Sequence, residues 1–114
     1  MVEKLIEKVF HARDASHIEH WKTNSYSRHQ ALCEYYDEVV DALDKFVEAY
    51  QGTFGIIGDV AGQEKDVAKM IHDDIIWLNE NRSQLAKGVP ALENILDELT
   101  ALHMKTLYKL ENLR

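Results

Sequence analysis

Apolar residues return every three or four positions along four stretches of this chain, and only three breaks separate them. Residues 2–21 carry Val2, Leu5, Ile6 and Val9 at that spacing, and residues 25–51 carry Leu32, Tyr36, Val40, Leu43 and Val47. Residues 63–87 continue it with Val67, Ile71, Ile75, Leu78 and Leu85, and residues 91–113 with Leu92, Leu96, Leu99, Leu107 and Leu110. A period near 3.6 puts each set on one side of a helix, so four amphipathic helices are predicted. The breaks are the polar Lys22-Thr23-Asn24-Ser25, the glycine-bearing stretch from Gly52 to Gly62, and Gly88-Val89-Pro90. Asn24 or Ser25 suits the cap of the second helix, and Pro90 suits the first turn of the fourth. β-branched residues are scattered and no Asn-Gly or Asp-Gly step occurs, so a sheet has no support.

Four helices with one apolar stripe each hide those stripes against one another, which predicts an all-α antiparallel four-helix bundle forming a single domain over residues 1–114. Short breaks at 22–25 and 88–90 make helices 1/2 and 3/4 hairpins. The middle connection, about eleven residues, spans up to ~36 Å when extended, which leaves both a tight turn and a crossover open. Thirteen Lys and Arg against twenty Asp and Glu give a formal charge of −7. That balance weighs against a nucleic-acid phosphate grip and against an anionic membrane surface. No apolar run approaches the ~20 residues of a membrane span, and the first residues lack the apolar stretch of a secretion signal. Cys33 is the only cysteine, so no disulfide closes within the chain. These features together point to a cytoplasmic protein.

Helical phase then picks out polar residues on apolar faces. The stripe begun by Val2 and Val9 continues into Arg13, Ser16, His17 and His20, and His29 lies within about 20° of Tyr36, Val40 and Val47 on the second helix. Asp37, Asp41, Asp44 and Glu48 form a carboxylate row on the shoulder of that helix. Asp74 and His103 fall on the apolar phases of the last two helices. Arg13 with Tyr36, and Asp74 with His103, are related across the loops, so an inward Asp74 neutralised by Arg13 or His103 is the simplest expectation for mid-bundle.

His20 and His29 flank the first loop and form a pair of imidazoles at one end of the bundle. Mixed imidazole and carboxylate donors suit Fe(II), Mn(II) or Zn(II), yet Asp44 lies ~22 Å along the helix from His29 at 1.5 Å per residue. One chain therefore does not close a site from His20, His29, Asp44 and Glu48. Two copies packed about a dyad near Asp37 and Glu38 would bring the histidines of one against the acids of the other, giving a homodimer or higher oligomer with two sites.

The His20-Trp21 step, His29, and Asp44-Lys45-Phe46-Val47-Glu48 resemble the Dps-like branch of the ferritin-like superfamily over about residues 17–52. The resemblance implies a ferritin-like bundle with iron held by His20 and His29 of one subunit and Asp44 and Glu48 of its mate, and oxidation of Fe(II) as the associated reaction. His17 is the alternative equivalent of His20. Neither DNA binding nor a mineral-storing cage is implied, because the basic tail and the length of that family are missing here. The segment is also similar to short uncharacterised helical proteins of phage genomes. The competing expectation is a structural or interaction bundle in which these histidines simply pack and pair.

Overall fold

A computed structural model of the protein describes residues 1–113, in which there are four helices and no strand. They are α1 (Val2–Lys22), α2 (Tyr26–Phe54), α3 (Val67–Ala86) and α4 (Pro90–Asn112). Helix α1 packs on α2 and α3 packs on α4, the pairing that the short breaks predicted. The chain divides into two compact units, one over Met1–Gln63 and one from Glu64 onward, each built on one helix pair.

Helix boundaries follow local chemistry. Ser25 caps α2 by accepting a hydrogen bond from the Arg28 amide, and Asp66 caps α3 by accepting one from the Lys69 amide at 3.0 Å. The periodicity placed the start of the third helix at 63. The capping aspartate sets it at Val67, because the orphan amides of a first turn need an acceptor. Helix α2 runs on through Gly52 and stops at Gly55, whose φ of 93° is open to glycine at little cost. At the other turn Lys87 takes the left-handed conformation, Gly88 follows with φ 77°, and Pro90 opens α4.

In the first unit the buried residues are Val2, Ile6 and Leu43, with Val9, Val47, Tyr50, Ile57 and Val60 packed around them. Ile57 and Val60 belong to the middle connection, which folds back onto its own hairpin. Its Gly58 amide donates to the Glu3 carboxylate at 2.9 Å and its Ile57 amide to the Gln51 side chain at 3.2 Å. The contact with Gly58, aided by the N-terminal ammonium, holds the Glu3 carboxyl below its ordinary value.

In the second unit Leu78 and Ala86 are buried, and the helices are tied by Arg82. Its guanidinium donates to both oxygens of Asp97, at 2.7 and 2.9 Å, and to Glu93 at 2.5 Å. The fork geometry matches a carboxylate pairwise, and it lowers the Asp97 carboxyl's pKa. Arg82 stands on the phase of Ile75 and Leu78, where the apolar pattern alone calls for another aliphatic residue.

Core packing makes one prediction. Leu43, 6% exposed, touches both helices and the returning connection, so Leu43→Ala is expected to cost about 2 to 3 kcal/mol. Urea unfolding followed by circular dichroism measures it.

Candidate functional site

The polar half of the α1 stripe is half-buried as its phase predicted: Arg13, Ser16, His17 and His20 all face α2. What they meet there is a set of rings. His20 stacks on His29, with centroids 3.7 Å apart and planes 26° apart, and His17 stacks on Tyr36 at 3.9 Å and 11°. His20 lies edge-on to Tyr36 at 5.2 Å and to His17 at 6.0 Å, and Trp21 sits 4.5 Å from His17. Five flat side chains thus fill the end of the hairpin beside the α1–α2 turn. Helical spacing brings His17, His20 and Trp21 to one side of α1, and His29 and Tyr36, two turns apart, to the facing side of α2.

Two hydrogen-bonding details define the chemistry. The His29 Nδ1–H donates to the carbonyl of His20 at 3.0 Å, which in the neutral ring leaves Nε2 as the lone-pair nitrogen. His20 Nδ1 is buried with no hydrogen-bond partner. Burial of the His20 ring, then repulsion from His29 and His17, lowers its pKa below the ordinary 6.5. Nearby, Tyr36 and Cys33 interact through their side chains, which raises the Tyr36 pKa. Cys33 is half-buried, with Sγ 3.9 Å from Asp37 Oδ2.

The structure brings together His20 and His29 but not the acids. Asp44 and Glu48 are exposed further along α2. Asp44 lines a groove of about 400 Å³ with Ile6, Phe10, Leu43, Ile57 and Val60. Among the described residues no group of three or more His, Cys, Asp or Glu side chains is placed to hold an ion within one chain. The stacking also bears on ligation. With each ring nitrogen ~2.1 Å from a shared ion, two imidazole centroids stand about 4.5 to 6.4 Å apart. At 3.7 Å His20 and His29 are too close to share an ion as stacked, and one ring must turn away first.

The expected mid-bundle layer resolves differently. Arg13 pairs with Asp14 at 3.2 Å and shares a groove of about 480 Å³ with Tyr36, as their common height predicted. Asp74 is exposed, because the inner face of α3 runs through Ile71, Ile75, Leu78 and Arg82, and position 74 is turned about 100° from Ile75. His103 is half-buried, and its Nδ1–H donates to the Leu99 carbonyl of its own helix at 2.9 Å. Arg82 is not among the polar residues singled out above, although it shares the phase of Ile75 and Leu78. The His17–Tyr36 stack was missed because mirror counting across the loop pairs residues by height and ignores how far each ring reaches.

On α4 the apolar residues form two neighbouring stripes. Leu96 and Leu107 turn toward α3, while Leu92, Ile95, Leu99 and Leu102 are 45 to 62% exposed. No helix among the described residues is long and apolar enough to cross a membrane.

Residues 20–110 match the model of a family described as a family of unknown function, DUF5856. Over 99 residues the chain is 33% identical to an uncharacterized 14.6 kDa protein in the mobD-ri intergenic region of Enterobacteria phage T4, covering 82% of this chain and 75% of that protein. No solved structure matches the chain.

The lowered His20 pKa carries a sign. Near 6.5 the folded chain binds fewer protons than the unfolded one, so this contribution is complete above that value and lost as pH falls through the folded-state pKa. The melting temperature is expected to fall on acidification from about pH 8 to about pH 5, and to fall less in His20→Gln, as differential scanning calorimetry will measure.

Proposed function

The chain belongs to the DUF5856 family, whose description assigns no activity, and from its own surfaces we propose a non-catalytic helical assembly protein. The observation that supports this reading is the exposed stripe Leu92, Ile95, Leu99 and Leu102 on α4. Its alternating spacing of three and four residues is the seam that one helix offers to another. A second apolar stripe beside the one already used against α3 exceeds what a hairpin can bury by itself, and contiguous apolar surface on a soluble chain marks a docking face. In this reading the two helix pairs close as an antiparallel four-helix bundle, and the remaining apolar surface joins a second copy in a homodimer or larger assembly.

Sedimentation of the full chain is expected to give a homodimer or larger species, and Leu99→Glu to shift it to monomer or to lower the melting temperature. A wild-type monomer at all concentrations, with Leu99→Glu as stable as wild type, sinks the reading.

A second reading is favoured by the His29 hydrogen bond. Metal-bound histidines commonly donate their other ring N–H to a backbone carbonyl, as His29 does to His20. Here the protein is ferritin-like and Dps-like: iron, or Mn(II) or Zn(II), is held between His20 and His29 of one copy and Asp44 and Glu48 of another, once the His29 ring has turned off its stack. Bound iron would supply oxidation of Fe(II) by dioxygen or peroxide. Oxidation of Fe(II) in air, followed by absorbance, is then expected to be faster with the wild-type protein than with His29→Ala; equal rates remove the reading.

A further inference from the structure

The ring geometry offers a metal site that does not depend on a second copy or on the acids of α2. His17 and His20 stand three residues apart on α1, and their centroids are 6.0 Å apart with planes at 69°. That separation falls within the about 4.5 to 6.4 Å that two imidazoles span when each places a nitrogen ~2.1 Å from one ion, whereas the His20–His29 stack falls outside it.

We propose that His17 and His20 chelate one divalent transition-metal ion within a single chain, with water completing its coordination.

Two features of the molecule support this assignment. Each ring is held flat against a partner on α2, His17 on Tyr36 and His20 on His29, so both orientations are set by the fold. Preorganised donors lose little freedom on binding. The His20 Nδ1 is buried without a partner, an arrangement that native structures resolve with an ordered water or an ion. His29 then supports the site by stacking and is not itself a ligand. An imidazole donor pair selects Zn(II), Ni(II) or Cu(II) over Mg(II) and Ca(II), which take oxygen ligands.

The experiment is calorimetric titration of Zn(II) alone and Ni(II) alone into the full chain at about pH 7.5, because protons compete with the metal at lower pH. One ion per chain is expected, with Asp44→Asn/Glu48→Gln retaining it and His29→Ala, which removes only the ring stacked on His20, weakening it less than His17→Ala does. His17→Ala is expected to weaken binding by about tenfold or more, since even loss of a ligand's supporting partner costs about 10–100-fold. In the wild-type chain, Zn(II) is expected to shift the NMR resonances of the His17 and His20 rings, a readout that needs no substitution. No binding, equal affinity in His17→Ala, or ring shifts confined to other histidines overturns the proposal. Loss of the ion in Asp44→Asn/Glu48→Gln overturns it in favour of the intersubunit site.

Discussion

A pair of helices can bury only one stripe of each against the other, and most of what is distinctive here follows from that limit. In the first unit the shared stripe is aliphatic at one end, where Val2, Ile6 and Leu43 meet, and the middle connection folds back with Ile57 and Val60 to thicken a core too thin to close by itself. In the second unit the shared stripe includes Arg82, Glu93 and Asp97, and charge-assisted hydrogen bonds take the place of packing near the turn. The aliphatic residues left over on α4, Leu92, Ile95, Leu99 and Leu102, are exposed.

At the other end of the first hairpin the stripe is made of rings. Histidine, tyrosine and tryptophan fill volume as aliphatic residues do, and they also carry polar edges that need partners. The His29 edge is satisfied by its bond to the His20 carbonyl. One ring nitrogen, His20 Nδ1, is left over. A buried polar atom without a partner is costly, and this one stands in the part of the chain richest in ligating side chains. Both metal readings grow from that juxtaposition, and they part on whether His20 shares its ion with His17 or with His29.

Much of this was legible in the residues. Period and punctuation placed four helices and paired them, because side-chain spacing and short loops are local properties. The polar continuation of α1 through Arg13, His17 and His20 was readable from phase alone, as was the meeting of His20 with His29 across a three-residue turn. Asp74 was misplaced because its neighbours Ile75 and Ile76 make the apolar arc of α3 broad, and only contact with α4 selects which side of that arc is inside. The start of α3 was set four residues early because Asp66 competes for the helix terminus through a hydrogen bond that apolar periodicity does not register.

The amino-acid order by itself determined the helices, their pairing into hairpins, the acidic surface and the meeting of two histidines beside a turn, since each depends on residues near one another in sequence or mirrored across a short loop. Tertiary structure alone decided that those histidines lie face to face, that His17 rests on Tyr36, that Arg82 bridges to two acids, and that one apolar stripe of α4 lies outside its contact with α3. Ring orientation and exposure depend on how side chains from two helices share one confined volume, and a one-dimensional pattern does not carry that quantity.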